Sequence, residues 1–269
     1  MLRAGIEPVD LLNAFAGRGA YTTTELAYGE HPRQRMSIYL PPDAGPRRSQ
    51  PVCFVYGGAW RDGDREDYLF VAAALARAGF PVIVPDYRLF PAVTAPSFEQ
   101  DVAAALHAAA AQWPELTGAK LREVGLIGHS AGAYIGAALF LQADFIEDAV
   151  LPVPVYAFVG MAGPYVLPLD DDLVTGVYTG FSAEQVDLTR FVSNAGAPVL
   201  LLHGSDDDIV SPRHSRMLAA ALAQSDANAS LSEFDSMDHK KLVGSFSWPL
   251  SALYPVKSEV LRFLRDAAR

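Results

Sequence analysis

Short, continuous apolar runs alternate with stretches of helical periodicity along most of this 269-residue chain. A strand that is buried on both faces reads as such a run, because neither of its faces meets water. The runs that we interpret as buried strands span residues 51–56, 81–84, 123–127, 155–159 and 198–202. Strands that alternate with helices in this way form a parallel sheet covered by helices on both faces. The sequence therefore predicts an α/β fold with a doubly wound, mostly parallel sheet.

The segments around these runs complete the predicted architecture. Helical spacing of apolar residues predicts helices over residues 67–78, 98–113, 131–141, 211–223 and 250–268. We expect the second helix to end before Pro114, since proline disfavours a helical conformation in the residue that precedes it. Further strands are predicted at 22–28, 35–40 and 229–234, which brings the sheet to about eight strands.

The length and composition favour one domain. With 51% hydrophobic residues, the chain can bury a single large core over residues 1–269. Residues 164–194 lack a clear sheet pattern and contain an acidic run of three aspartates together with Tyr165, Tyr178 and Phe181. We expect a small cap insertion there, over the edge of the sheet where open α/β sheets bind ligands. A solvated loop is the alternative.

Charge and cysteine content exclude several classes of function. The 31 acidic residues outnumber the 21 basic ones, for a net charge of −10, so a nucleic-acid partner is not expected. The single cysteine, Cys53, allows neither an intramolecular disulfide nor a zinc site built on cysteines. No stretch approaches the roughly 18 apolar residues of a membrane span, and residues 1–17 lack the apolar core of a signal peptide. We expect a cytoplasmic protein that does not associate with membranes.

One pentapeptide is a candidate for chemistry. Gly128-His129-Ser130-Ala131-Gly132, which we call the elbow, stands between the apolar run at 123–127 and a helix rich in small residues. A strand, a sharp turn and a helix are the context in which a serine hydroxyl is pushed off a sheet into an accessible site, and the glycines remove the Cβ clashes of such a turn. Ser130 is therefore the predicted nucleophile, with a purely structural turn as the alternative.

A serine hydroxyl is a weak nucleophile at neutral pH and needs a histidine base, which a buried carboxylate orients. In doubly wound hydrolases these partners follow late strands in the order Ser, Asp, His. The loop after 198–202 carries Asp206, Asp207 and Asp208, and the loop after 229–234 carries His239. The residues alone leave the choice among the three aspartates open.

The other histidines occupy less suitable positions. His31 precedes most of the sheet, His107 lies inside a predicted helix, His129 belongs to the elbow, His203 precedes the acid and His214 lies early on a helix. His239 is therefore the predicted base.

Attack on a carbonyl creates a negatively charged oxygen, which preorganised N–H groups must stabilise. The backbone of Ala131 can supply one of these donors, because it lies at the N-terminus of the helix that follows the elbow. Further donors are expected from Tyr56-Gly57-Gly58-Ala59-Trp60, which we call the glycine loop and which follows the strand at 51–56. Adjacent glycines let this backbone approach the oxygen closely, and we assign Gly58 and Ala59 as donors.

Taken together, these motifs resemble the α/β-hydrolase family and its esterase and lipase branch, near the carboxylesterases and kynurenine formamidases. The likeness runs from about residue 35 to the end and rests on the following motifs: Gly57-Gly58-Ala59-Trp60, Asp86-Tyr87-Arg88-Leu89, and the acid turn His203-Gly204-Ser205-Asp206-Asp207-Asp208-Ile209-Val210. Superposing the family's acid turn implies Asp207 as the acid and supports His239 as the base.

The glycine loop also departs from the family. Tyr56 stands where the family carries a histidine, but the donors of such a loop are backbone groups, so the loop can keep its function. We expect Trp60 to line the acyl pocket, with core packing as the alternative, and we assign Tyr56 and Tyr165 to substrate binding as well.

The resemblance implies a serine hydrolase that cleaves small to medium carboxylic esters through an acyl-enzyme intermediate. It implies no metal and no organic cofactor. The expected partner is a small-molecule ester, and a homodimer is left open. An aryl formamidase acting on N-formylkynurenine is the alternative activity, followed by a non-catalytic ligand-binding homologue.

Overall fold

A computed structural model describes residues 8–16, 21–42, 50–146 and 148–269, and the other positions of the predicted 1–269 domain lie outside the described residues. Within the described ranges, eight strands form one sheet in the order β1-β2-β4-β3-β5-β6-β7-β8. They are β1 Thr22–Ala27, β2 Arg35–Leu40, β3 Val52–Val55, β4 Val82–Pro85, β5 Val124–His129, β6 Val155–Met161, β7 Val199–Gly204 and β8 Ala229–Phe234. The predicted number of strands is confirmed.

The direction of each strand follows from its connection. A short turn joins β1 to β2, and this pair is antiparallel, as is the pair of β2 with β4. The neighbours from β4 through β3, β5, β6 and β7 to β8 are parallel, since parallel neighbours need a crossover connection. The α/β-hydrolase fold with a mostly parallel sheet is confirmed.

Helices cover the sheet. They are α1 Pro8–Ala14, α2 Leu69–Arg77, α3 Ser97–Thr117, α4 Ala131–Phe140, α5 Asp172–Val177, α6 Arg213–Gln224, α7 His239–Gly244, α8 Leu250–Leu253 and α9 Val256–Ala267. Every residue of α4 is buried, which agrees with its lack of charged side chains. The small residues of α4 let it lie close to the strands on which the elbow depends.

Two helix boundaries differ from the predictions. Helix α3 continues through Pro114 and ends before Gly118, which has a φ of 74°, so the predicted end before Pro114 is wrong. Only the last turn follows the proline, and the N–H of Gly118 caps that turn by donating to the carbonyl of Pro114 at 2.9 Å. The predicted closing helix is split, because Pro255 holds Tyr254 in an extended conformation between α8 and α9.

The carboxyl ends of the parallel strands lie along one edge of the sheet. The glycine loop follows β3, Ser130 follows β5, Asp207 follows β7 and His239 follows β8. Segments that are distant in the sequence therefore meet at this edge, which is where open α/β sheets bind ligands.

The 164–194 insertion packs against the protein instead of extending into solvent. It contains α5, a 3₁₀ helix at Leu188–Asn194 and an isolated bridge between Val166 and Asp187. Several hydrogen bonds attach it; in two of them, the Ala95 N–H donates to the Val177 carbonyl at 2.9 Å and the Tyr134 hydroxyl donates to the Val186 carbonyl at 2.8 Å. Val177 and Val186, which accept these bonds, are fully buried.

Candidate active site

The elbow is a strained turn. Ser130 has φ 56° and ψ −125°, in a region of φ that residues with a side chain rarely occupy, at a typical cost of about 1–3 kcal/mol. A Cβ atom on Gly128 would lie 2.4 Å from the Gly132 carbonyl oxygen, and one on Gly132 would lie 2.2 Å from the Val55 carbonyl oxygen. Both glycines are therefore required by close backbone approach, and the turn is held by a 2.9 Å bond from the Ser130 N–H to the Met161 carbonyl.

An aspartate and a histidine from different loops meet beside the elbow. His239 Nδ1 lies 2.7 Å from Asp207 Oδ2, and the other carboxylate oxygen of Asp207 accepts from the N–H groups of Ile209 at 3.0 Å and Val210 at 2.8 Å. His203 Nε2 lies 3.2 Å from the same Asp207 Oδ2. Burial acts to raise the pKa of Asp207, but these hydrogen bonds outweigh it and hold that pKa well below its ordinary value. Asp207 is therefore an ionised, rigidly held acceptor.

The neighbouring aspartates have other contacts. Asp206 accepts from the hydroxyl of Ser205 at 2.8 Å, and Asp238 caps helix α7 by accepting from the N–H groups of Lys240 and Lys241 at 3.1 and 2.8 Å. Of the three aspartates that the sequence left open, Asp207 is the one in contact with His239.

The contact with Asp207 determines the tautomer of His239. A carboxylate can only accept, so Nδ1 carries the proton and the lone pair of Nε2 is free. His239 is the first residue of α7, and its side chain is 7% exposed. The sequence placed this residue in a loop, and the helix start at Asp238 is what orients it.

His129 supports His239 from the elbow. Its Nε2 donates to the His239 carbonyl at 3.2 Å, and the two imidazole rings are 4.8 Å apart. Burial, with a smaller contribution from His239, lowers the pKa of His129 to about 3, so its ring is neutral at pH 7. From the sequence, His129 could be placed only in the elbow, because no local pattern indicates this contact.

The glycine loop folds tightly against Ser130. A Cβ atom on Gly57 would lie 2.7 Å from the Ser130 Cβ, and one on Gly58, which has a φ of 132°, would lie 2.0 Å from the Asp62 carbonyl oxygen. Ala59 and Trp60 also have positive φ, at 51° and 58°. The loop therefore brings its backbone next to the serine. Ala131 occupies the first position of α4, where a helix has no internal acceptor for the N–H group.

Tyr56 lies beneath the glycine loop and faces no substrate surface. Its hydroxyl donates to Asp86 Oδ1 at 2.7 Å and accepts from Arg33 Nη2 at 2.8 Å, and its ring is stacked between Tyr68 and Tyr87. The side chain is fully buried. The assignment of Tyr56 to substrate binding is therefore corrected, because both functions of its hydroxyl are used within the protein.

The partners of Tyr56 also hold the continuation of the loop. Arg33 donates to the carbonyls of Gly63 at 2.7 Å and Tyr87 at 2.9 Å, while Asp86 accepts from the Arg65 N–H at 2.7 Å and also pairs with the Arg65 guanidinium. Asp86 begins the motif Asp86-Tyr87-Arg88-Leu89, which follows the buried strand at 81–84. An aspartate directly after a buried strand is the sequence feature from which its buried, anchoring position could have been predicted.

The remaining predicted substrate contacts are also buried. Trp60 is 3% exposed and packs on Tyr134 and Tyr178, so it belongs to an aromatic cluster beside the elbow. Tyr165 is fully buried, and a Cβ atom on Gly160 of β6 would lie 2.0 Å from its hydroxyl. Tyr165 packs against the sheet with a hydroxyl that has no hydrogen-bond partner among the described residues, and its assignment to substrate binding stays a prediction.

Two cavities flank the sheet. One of about 580 Å³ is lined by Arg61, Phe90 and residues 170–173, so it lies between the glycine-loop side of the site and the insertion. Another of about 680 Å³ lies between the end of α4 and the start of β6, at the opposite edge from Ser130.

Among the described residues, no group of three or more His, Cys, Asp or Glu side chains is arranged to hold a metal ion. No helix in that part of the chain is long and apolar enough to span a membrane.

The sheet order, and the serine turn after β5 at the same sheet edge as an Asp–His pair after β7 and β8, are those of an α/β hydrolase. The chain belongs to the prolyl oligopeptidase family, whose model matches residues 98–247. A second family model, BD-FAE, matches residues 36–151. The resemblance to the α/β-hydrolase family, inferred from the motifs, is confirmed.

Individual relatives are distant. The chain is 27% identical over 236 residues to the "Probable isoprenylcysteine alpha-carbonyl methylesterase ICME" of Oryza sativa subsp. japonica, covering 79% of this chain and 56% of the relative. It thus spans about half the length of that methylesterase. It is 25% identical over 232 residues to the kynurenine formamidase of Danio rerio, covering 82% and 76%. A solved structure described as a truncated form of carbohydrate esterase from gut microbiota superposes with a TM-score of 0.79 at 18% identity, covering 92% and 97%, which shows the common fold.

Proposed function

We propose that this chain is a serine hydrolase that cleaves small to medium carboxylic esters through an acyl-enzyme intermediate. The observation that carries the proposal is the 2.7 Å bond between His239 Nδ1 and Asp207 at the same sheet edge as the strained Ser130 turn. The name of the methylesterase relative agrees with this activity.

In the first half of the reaction, Ser130 Oγ attacks the carbonyl carbon of the ester. The hydroxyl proton passes to His239 Nε2, whose lone pair is free because Nδ1 holds the other proton. Asp207 stabilises the imidazolium that results. The carbonyl oxygen becomes an oxyanion, and the N–H groups of Gly58, Ala59 and Ala131 are the proposed donors to it.

The intermediate then collapses. The bond to the alcohol oxygen breaks, the alcohol leaves with the proton from His239, and Ser130 remains acylated. In the second half, water attacks the acyl carbon and passes a proton to His239. The Ser130–acyl bond breaks, Ser130 regains its proton and the carboxylic acid is released. No redox agent takes part, and the proposal includes no metal or organic cofactor.

The 164–194 insertion is proposed as a cap on this site within a single domain. Its Tyr178 ring contacts Trp60, the last residue of the glycine loop, at a ring separation of 5.4 Å. Residues 170–173 line the cavity of about 580 Å³ beside Arg61. Both contacts support this proposal, because an insertion next to the glycine loop can limit access to the site.

A comparison of the wild type with Ser130→Ala on p-nitrophenyl acetate and butyrate tests the proposal. We expect kcat to fall by about 10⁴-fold or more, since the nucleophile is lost. A serine-reactive fluorophosphonate probe should label the wild type and not the variant. Ser258→Ala, on the exposed face of α9, is the matched control and should keep full activity. Equal turnover by the wild type and Ser130→Ala would refute the proposed function.

An aryl formamidase is the second candidate. The similarity to kynurenine formamidases over 82% of the chain favours it, and the same residues can cleave an amide if His239 protonates the leaving amine. Turnover of N-formylkynurenine, followed by formate release and compared with short esters, separates the two activities. Absence of formate release would exclude the formamidase. A non-catalytic ligand-binding homologue predicts that the fluorophosphonate probe does not label Ser130.

A further inference from the structure

The sheet order assigns the two halves of an ester to opposite sides of Ser130. In that order, β3 and β4 lie on one side of β5, and β7 and β8 lie on the other. Asp207 and His239 follow β7 and β8. Because His239 must protonate the alcohol as it leaves, the alcohol faces this side. The acyl group then faces the side of β3 and β4, where Trp60 and α3 follow the strands.

Three aromatic rings occupy the acyl side. Tyr134 lies one helical turn after Ser130 and therefore on the same face of α4. The ring of Trp60 lies 5.9 Å from that of Tyr134 and 5.4 Å from that of Tyr178, and the two tyrosine rings are 5.3 Å apart. All three pairs meet edge to face, and the residues are between 0% and 3% exposed. We call these three residues the aromatic wall.

The aromatic wall is anchored on several sides. The Tyr178 hydroxyl donates to Glu99 Oε1 at 3.3 Å, and Glu99 lies in the first turn of α3 with no exposed surface. The Tyr134 hydroxyl donates to the Val186 carbonyl at 2.8 Å. Phe145 packs on both tyrosines, at 6.4 and 6.0 Å. A long acyl chain would have to displace rings whose polar ends are bonded.

We propose that the aromatic wall of Trp60, Tyr134 and Tyr178 closes the acyl side of the site and restricts the substrate to esters of formyl or acetyl size. This inference rests on the proposed function and narrows it to a substrate class. Each added methylene has to be accommodated by moving the wall, and differences of this kind change kcat/KM by about 10- to 200-fold per methylene.

The test is the chain-length profile of kcat/KM for p-nitrophenyl acetate, butyrate and octanoate. The wild type should prefer acetate to butyrate by about 100-fold or more and should hardly accept octanoate. Tyr178→Ala should raise the ratio of octanoate to acetate activity by about 10-fold or more, because it removes the ring that Glu99 holds. Tyr156→Ala is the matched control, since Tyr156 is a buried tyrosine at the start of β6, at the opposite edge of the sheet. It should leave the ratio unchanged.

Trp60→Leu and a labelling experiment keep the test valid if Tyr178→Ala does not fold. Trp60→Leu should also raise the ratio of octanoate to acetate activity. On the wild type, a fluorophosphonate with a methyl group should label Ser130 at least about 10-fold faster than one with an octyl chain. If kcat/KM does not depend on acyl chain length while the probes label Ser130 equally well, this inference alone is overturned. It is also overturned if kcat/KM falls steeply with chain length in the wild type and neither variant weakens that dependence. Absence of both hydrolysis and labelling would overturn the proposed function together with it.

Discussion

Glu99 is a buried acid whose ionisation should be visible in the stability of the protein. It lies in the first turn of α3 with no exposed surface. Burial raises its pKa from an ordinary 4.5 to about 7, although a backbone N–H and the Tyr178 hydroxyl oppose the shift by hydrogen bonding to the carboxylate. The folded protein therefore keeps a proton on Glu99 at pH values where the unfolded chain has lost it.

The sign and size of the effect follow from this difference. Below pH 4.5 Glu99 is protonated in both states and has no effect on stability. As the pH rises from 4.5 to about 7, the unfolded chain releases the proton and the folded chain does not, so the free energy of unfolding falls. Above this window Glu99 is ionised in both states and the loss is constant. The total loss is about 3 kcal/mol, since one pKa unit corresponds to about 1.4 kcal/mol.

Glu99→Gln should remove this loss, because an amide keeps an acceptor for Tyr178 and does not ionise. We would measure the free energy of unfolding in urea between pH 4.5 and 8 for the wild type and the variant. The variant should gain about 3 kcal/mol relative to the wild type across this range. Glu115→Gln, on the same helix with an exposed side chain, is the control and should show no such gain. A difference between Glu99→Gln and the wild type that does not change with pH would refute the reasoning.

The remaining predictions concern the site. Asp207→Asn should lower kcat by about 10⁴-fold, because an amide does not hold the same histidine tautomer, and a fully active variant would transfer the role to a neighbouring aspartate. Tyr56→Phe removes two hydrogen bonds to charged side chains, those with Asp86 and Arg33, and should lower the free energy of unfolding by about 1–3 kcal/mol. It should also reduce kcat more than it raises KM. Tyr156→Phe removes a buried hydroxyl that has no partner in the described part of the chain, and comparable losses in both variants would contradict this account. Gly57→Ala should lower kcat by at least about 10-fold with an unchanged circular dichroism spectrum, since its Cβ would meet Ser130 at 2.7 Å; unaltered kinetics would argue against this contact.

Most of the fold could be predicted from local patterns. Each of the eight strands lies where a buried or alternating run indicated one, because burial on both faces leaves a direct record in the sequence. The boundaries near prolines were less predictable. Helix α3 continues for one turn past Pro114, whereas Pro255 separates α8 from α9, so a proline by itself does not fix where a helix ends.

The candidate site could be predicted only in part. Ser130 and His239 were selected by motif and chain order, Asp207 was selected by the resemblance to the family's acid turn, and the structure brings Asp207 and His239 into contact. The fully buried positions of Tyr56 and Tyr165 were not foreseen, because an aromatic residue near a site has the same local pattern whether it faces a substrate or the core.

The sequence by itself determined the alternation of strands and helices, the position of the elbow and the need for glycines there, since these depend on periodicity and on steric limits within a few residues. The tertiary structure alone decided which side chains meet. Tyr178 reaches Glu99 across 79 positions of the chain, and His129 reaches the backbone of His239 across 110. Such contacts depend on the strand order, which places distant loops at one sheet edge, and no local pattern records them. The strained turn at Ser130 is therefore readable from five residues, whereas the aromatic wall on its acyl side appears only when the chain is folded.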